Sequence, residues 1–269
     1  MRRQQKETAV EIESYENGVP SWVDMGNPDI AKAKEFYSSL FGWDCPEGDP
    51  EAGGYSVCTL RGKTVAGLSP MAPPGAPPAW MTYVNVDSVD DTLVKVEANG
   101  GTVFMPAMDV MDSGRMAVFA DSIGAAIGLW EPKEHLGSQI VNEPGTLCWN
   151  ELISTDLDAS KSFYQAVFGW GAEEQGPPGG PPVYTEWKLS GNSIGGMMAK
   201  SPEMPAEMPP NWGVYFAVAD TDATVELAQK LGASLFMGPM DIEPGRFAVL
   251  ADPLGAVFNV LALKETPAP

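Results

Sequence analysis

Histidine is almost missing from this chain: there is one, His135, in 269 residues. Cysteine is scarce, with Cys45, Cys58 and Cys148 widely spaced, and basic residues are outnumbered, 16 Lys and Arg against 36 Asp and Glu. Each shortage excludes something. A single imidazole cannot supply the two His that, with one carboxylate, hold iron in a non-haem iron site. Three scattered thiols are too few for a disulfide framework or a zinc site, which favours a reducing compartment, the cytoplasm by default. A formal charge of −20 leaves no clustered Lys and Arg for phosphates, so no nucleic-acid partner is expected. No apolar run approaches the ~18–20 residues of a membrane span. Residues 1–18 carry Arg2, Arg3 and Lys6 without the apolar stretch of a secretory signal, and read as a disordered tail.

What is present is a repeat. Trp22-Val23-Asp24-Met25 returns as Trp149-Asn150-Glu151-Leu152, and Asp29, Phe36, Tyr37, Phe41, Gly42 and Trp43 return as Asp156, Phe163, Tyr164, Phe168, Gly169 and Trp170, all at an offset of 127. Farther on, Trp80, Tyr83, Gly100, Asp109 and Asp121 recur as Trp212, Tyr215, Gly232, Asp241 and Asp252, at offsets of 132 and then 131. Tyr55 pairs with Tyr184, and of the seven tyrosines only Tyr15 lacks a counterpart. Two domains follow, residues 19–131 and 146–263, with a linker at 132–145 and a short tail at 264–269.

Within each copy the order of elements repeats again. Trp22 to Gly26 reads as a strand, and Asp29 caps a helix whose apolar stripe is Ala33, Phe36, Tyr37, Leu40 and Phe41, stopped by Gly42. Strands Tyr55–Leu60 and Thr64–Ser69 follow, joined by Arg61-Gly62-Lys63. After the Pro-rich stretch Ser69–Ala79 come strand Met81–Val86, helix Val89–Asn99, and strands Thr102–Pro106, Arg115–Ala120 and Ala125–Trp130. Copy two repeats the scheme, with its own Pro-rich stretch at Lys200–Pro210.

The opening strand, then Asp-x(6)-Phe-Tyr-x(3)-Phe-Gly-Trp, and the closing turn Asp252-Pro253-Leu254-Gly255 (Ser122 replacing Pro in copy one) resemble the vicinal-oxygen-chelate superfamily of glyoxalases, bleomycin-resistance proteins and extradiol dioxygenases. The chain is similar in particular to two-domain glyoxalase-like proteins of the actinobacterial type. That resemblance implies an α+β fold: tandem glyoxalase-like domains, each of two βαβββ units whose curled mixed sheet surrounds a cavity. It also implies a divalent metal held by His, Gln or Glu on the first and last strands of each unit. Those positions fall on Trp22, Gly67, about Met81 and Gly128 in copy one, and on Trp149, Gly195 or Gly196, about Gly213 and Asn259 in copy two. None is a His or Glu, so neither metal nor another cofactor is expected. His135 matches no motif position and reads as a surface residue.

Strand alternation places Trp22 with Asp24, and Trp149 with Glu151, on one face. An indole beside a carboxylate suits a cationic or planar ligand, or, equally, core filler beside a structural ion pair. Asp24 and Glu151 are the candidate catalytic carboxylates, and Trp22, Trp80, Arg115, Trp149, Trp212 and Arg246 the candidate ligand contacts. Arg115 and Arg246 are two of five arginines and stand at equivalent strand starts; internal pairing with Asp24 and Glu151 competes with binding of an anionic group. Most methionines read as core. The expected activity is metal-independent binding or sequestration of a small hydrophobic or cationic molecule, with a lyase or isomerase using Asp24 and Glu151 as the alternative. A monomer or weak homodimer fits, because fusion already pairs the domains.

Overall fold

The computed structural model describes residues 11–70, 77–177 and 183–264. Residues 1–10 of the expected tail, residues 71–76 of the first Pro-rich stretch with Met71, and residues 265–269 lie outside the described residues.

Domain 1 runs β1 (Pro20–Gly26), α1 (Ile30–Phe41), β2 (Ser56–Leu60), β3 (Lys63–Ser69), β4 (Ala79–Asn85), α2 (Val89–Ala98), β5 (Thr102–Val110), β6 (Gly114–Ala120) and β7 (Ala126–Pro132). Domain 2 runs β8 (Leu147–Ser154), α3 (Leu157–Phe168), β9 (Gly171–Gln175), β10 (Tyr184–Leu189), β11 (Asn192–Ala199), β12 (Asn211–Ala217), α4 (Thr221–Lys230), β13 (Ser234–Ile242), β14 (Gly245–Ala251) and β15 (Val257–Leu263). Each domain is one mixed sheet, ordered β2-β3-β1-β4-β7-β6-β5 and β13-β14-β15-β12-β8-β11-β10-β9. Both are open, two βαβββ units joined through the antiparallel pairs β1–β4 and β8–β12. The extra edge strand β9 has only isolated pairings as its counterpart in domain 1, at Asp44–Thr59 and Asp49–Tyr55. There the segment contains Pro46 and Pro50, which have no N–H for a ladder.

The helices form where the spacing of apolar residues says they should. Asp29 accepts from the Lys32 amide, and Asp156 from that of Ala159, at the starts of α1 and α3. Gly42 and Gly169 end them in the left-handed region, at φ 74 and 76.

The core is shared crosswise. One buried cluster joins Val23, Phe36, Tyr37, Phe41 and Trp43 of the first half of domain 1 to Val214, Phe216, Leu250 and Phe258 of the second half of domain 2. A second joins Val84, Phe119 and Leu129 to Phe163, Tyr164, Trp170 and Trp187. The helices therefore lie between the sheets, and Trp22, Asp24, Trp149 and Glu151 stand on the opposite faces. Polar groups knit the seam. Tyr164 Oη donates to Asp121 Oδ2 at 2.8 Å and Tyr37 Oη to Asp252 Oδ2 at 3.2 Å, each crossing between domains. The other oxygen of each aspartate caps its own turn, Asp121 taking the Ile123 and Ala125 amides and Asp252 those of Leu254 and Ala256. Thr82 Oγ1 donates to Asn150 Oδ1 at 2.7 Å, also between the domains.

Two expectations change. Cys45 and Cys58 form a disulfide, because the Asp44 and Thr59 backbones exchange hydrogen bonds and set the two cysteines side by side. Cysteine count thus gives no argument for a reducing compartment. The second half of the expected tail is tied down: Glu11 bridges Ile140, the Ile12 amide donates to the Gln139 carbonyl, and Tyr15 Oη donates to the Ser138 carbonyl at 2.6 Å. No helix among the described residues is long and apolar enough to cross a membrane.

Tyr164→Phe removes the donor to Asp121 and the acceptor of the Trp212 indole at once. It should cost roughly 2–4 kcal/mol in urea unfolding, with one desolvated group stranded at each end. Arg115→Ala, which breaks exposed ion pairs, should cost less than about 1 kcal/mol. Equal losses would mean the cross-domain bonds contribute no more than surface ones.

Candidate functional site

Alternation along β1 sends Val23 and Met25 into the shared core, so Trp22 and Asp24 face the opposite side of the sheet. Strand register then decides their neighbours. Trp22 lies opposite Tyr83 and Asp24 opposite Met81, while Asp24 sits beside Gly67 on β3 and Tyr83 beside Gly128 on β7. In domain 2 Trp149 lies opposite Tyr215 and Glu151 opposite Gly213; Glu151 is beside Gly196, and Tyr215 beside Asn259.

Both sites carry the same hydrogen-bonded cluster. The Trp22 indole donates to Tyr55 Oη at 2.9 Å, Tyr55 Oη donates to Asp24 Oδ2 at 3.1 Å, and Tyr83 donates to the same carboxyl. The Trp149 indole donates to Tyr184 Oη at 2.8 Å, Tyr215 Oη donates to Glu151 Oε2 at 2.7 Å, and Tyr184 also serves Glu151. Glycine makes room for this. A Cβ on Gly67 would stand 1.8 Å from the Tyr55 oxygen, one on Gly196 1.8 Å from that of Tyr184, and one on Gly128 2.2 Å from the Tyr83 ring.

Neither carboxyl has a basic partner among the described residues, since the ion pairs of Arg115 and Arg246 run elsewhere. Burial pushes Asp24 up to about 7 against the lowering effect of its two phenol donors, and pushes Glu151 up in the same way. The four tyrosines are held protonated by burial and by the neighbouring carboxyls. Each cluster therefore has one carboxyl at its centre, with phenol donors turned toward it. At the edge of each sheet, Met105 and Met108 on β5, paired to Val118 and Met116, are 40% and 46% exposed, and Met237 and Met240 hold the matching places on β13. These methionines were expected in the core.

Other candidates lie elsewhere. Trp80 and Trp212 are one residue out of phase with the site and point into the shared cores, donating to Tyr37 and Tyr164 Oη. Arg115 pairs with Asp90 and Asp109, and Arg246 with Asp222 and Asp241, tying each helix N-terminus to its sheet. Neither touches Asp24 or Glu151. His135 is not a free surface residue: its ring packs edge-on to Trp22 at 4.4 Å and to Trp130 at 5.6 Å, its Nε2 has no partner, and burial lowers it to about 4. Tyr55, Tyr83, Tyr184 and Tyr215 were overlooked as site residues, although their recurrence in both copies was the signal that could have found them.

The family profile of the Glyoxalase/Bleomycin resistance protein/Dioxygenase superfamily matches residues 20–129 and again 146–260. The chain belongs to this superfamily. It is 46% identical over 253 residues to "Putative glyoxylase CFP32" of Mycobacterium tuberculosis, covering 92% of this chain and 95% of that one. It is 38% identical over 264 residues to "Anthracycline biosynthesis protein DnrV" of Streptomyces peucetius, covering 92% and 94%. Among solved structures it resembles the 2,3-dioxygenase LapB from a Pseudomonas species, with TM-score 0.65, 15% identity and coverage of 94% and 95%. The Mn(II)-bound glyoxalase from Novosphingobium aromaticivorans gives TM-score 0.62, 17% identity and coverage of 94% and 89%. At such identities these structures bear on the fold alone.

Register sets the positions where the superfamily resemblance places a metal into two adjacent rows, Trp22 with Tyr83 and Gly128, and Met81 with Asp24 and Gly67; in domain 2 the rows are Trp149 with Tyr215 and Asn259, and Gly213 with Glu151 and Gly196. One carboxyl and one neutral phenol face two glycines, or a glycine and an amide, and Tyr55 or Tyr184 fills the space over the glycine. Divalent ions want several anionic or imidazole donors converging on one point, and no group of three His, Cys, Asp or Glu among the described residues could hold one. The residues do not fit a metal. Manganese, nickel or zinc should leave the thermal midpoint unmoved; a stabilisation that saturates with metal would refute the fit test.

Asp24 also predicts a pH dependence of stability. Its folded value of about 7 lies above the ordinary aspartate value of 3.8, so its contribution is complete below pH 3.8 and is lost as pH rises to about 7, at about 1.4 kcal/mol for each pH unit between the two. Asp24→Asn should therefore gain on the parent chain between about pH 4 and pH 7 and run level above. A constant difference across that window would show an ordinary carboxyl.

Proposed function

We propose that this protein binds a small, flat, largely apolar molecule without a metal, in a cleft floored by the carboxyl–tyrosine–indole cluster. The observation that carries this reading is a carboxyl with two phenol donors, a neighbouring indole and no basic partner, on a sheet whose edge strand carries half-exposed methionines. Met side chains adapt to irregular apolar shapes, and the carboxyl is an acceptor for a ligand hydroxyl or ammonium. An anionic ligand is disfavoured by the same carboxyl. The name of the Streptomyces relative, an anthracycline biosynthesis protein, supports a polycyclic aromatic ligand here.

A second reading is favoured by the upward shift of Asp24 to about 7, which suits a general base at neutral pH. Turnover then runs through Asp24 and Glu151, as a lyase or isomerase. Because each core is completed by the other domain of the same chain, the protein works as a monomer in either reading.

Fluorescence titration with an anthracycline and with the dihydroxyanthraquinone quinizarin tests the first reading. Saturable binding should weaken at least about tenfold in the double variant Asp24→Asn, Glu151→Gln, the loss of about 1.4 kcal/mol or more in charged hydrogen bonding. Absence of saturable binding to any planar aromatic would defeat it. If a substrate is found and the double variant turns it over unchanged, the general-base reading fails.

A further inference from the structure

The duplicated clusters are alike in their hydrogen bonds and unlike at one end. In domain 1 the linker that follows β7 turns back over the site. Lys133 and His135 donate their amides to the Ser113 carbonyl, the Trp130 indole donates to the His135 carbonyl at 2.7 Å, and the Ser138 amide donates to the Ser21 carbonyl at 2.8 Å. That path carries the His135 ring onto Trp22, at 4.4 Å and an interplanar angle of 82°, and leaves Trp22 only 3% exposed. An aromatic ring, supplied by the chain itself, already occupies that indole.

Domain 2 has the same indole without the cover. Trp149 is half-buried rather than sealed, and no described aromatic residue packs on its ring. The place of Trp130 is taken by Leu261, so the indole that anchors the His135 carbonyl has no counterpart. Met81, which stands opposite Asp24, is replaced by Gly213 opposite Glu151, and Gly128 by Asn259, whose amide donates to the Val214 carbonyl at 3.1 Å. The domain 2 cleft thus loses a methionine side chain beside its carboxyl and gains an amide.

We propose that the two clefts are unequal: Trp149 in domain 2 is the platform on which a flat aromatic ring stacks, with its hydroxyl or ammonium hydrogen directed at the Glu151 cluster, whereas His135 fills that place on Trp22 in domain 1. The inference rests on the proposed function and adds which cleft works and what ring-bearing chemistry it takes. Stacking on a tryptophan face is tolerant of the ring's identity, while the carboxyl selects for a donor on its edge. His135 becomes a specificity element, shutting one of two related sites.

The chain's single histidine makes the test direct, because it gives one set of imidazole resonances. Quinizarin should bind with a stoichiometry of one per chain and leave the His135 resonances in place. Trp149→Leu should weaken binding at least tenfold, whereas Trp149→Phe, which keeps a stacking ring and loses the N–H to Tyr184, should retain most of it. His135→Ala should raise the stoichiometry to two. Two molecules bound by the parent chain, a shift of the His135 resonances at the first equivalent, or equal losses in the Leu and Phe variants would each overturn the inference while leaving small-molecule binding intact. No saturable binding would overturn both together.

Discussion

Two buried hydrogen bonds, from Tyr164 to Asp121 and from Tyr37 to Asp252, bind each domain to the other by residues that also build the domains themselves. Each aspartate folds a tight turn with one oxygen and grips a tyrosine across the seam with the other. A buried carboxylate left short of donors is costly, so the turn, the helix bearing the tyrosine and the domain pairing stand or fall together. Burial raises Asp121 above the usual carboxylate range, and the Tyr164 hydroxyl and turn amides offset part of that cost. The crosswise core follows from this geometry, and it leaves Asp24 and Glu151 on the sheet faces turned away from the seam.

On those faces the chemistry is that of protons rather than of a metal. Indole N–H to phenol, phenol O–H to carboxyl, second phenol O–H to the same carboxyl: every donor points inward and the carboxyl is the final acceptor. Such a cluster satisfies its members without any ion, and burial pushes its central carboxyl up, Asp24 to about 7. Gly67 and Gly196 are the small residues that allow it, since any side chain there would collide with the tyrosine oxygen. The superfamily's fold is retained with a different occupant at its centre.

Much of the architecture could be read in advance. The 127-residue offset, the capped helices with apolar stripes and the glycine stops placed the elements to within a few residues. The site was read less well, and each miss has a physical cause. Trp80 differs from Met81 by one position, which in a strand is the difference between the two faces. Arg115 and Arg246 lie on the helix side of their sheets, which only the packing of α2 and α4 reveals. The pairing of Cys45 with Cys58, 13 residues apart, follows from a local fold-back that no count of cysteines contains.

Sequence by itself determined the duplication, the α+β class and the presence of Asp24 and Glu151 beside an indole, because periodicity and repetition are properties of a linear string. Tertiary structure alone decided that four recurring tyrosines converge on those carboxyls, that Trp80 and Trp212 belong to the cores, and that a linker histidine covers Trp22 while Trp149 stays open. The reason is register. A one-residue change exchanges the faces of a strand, and the return path of residues 133–139 is set by backbone hydrogen bonds to Ser113, Ser21 and Thr64 rather than by any local pattern.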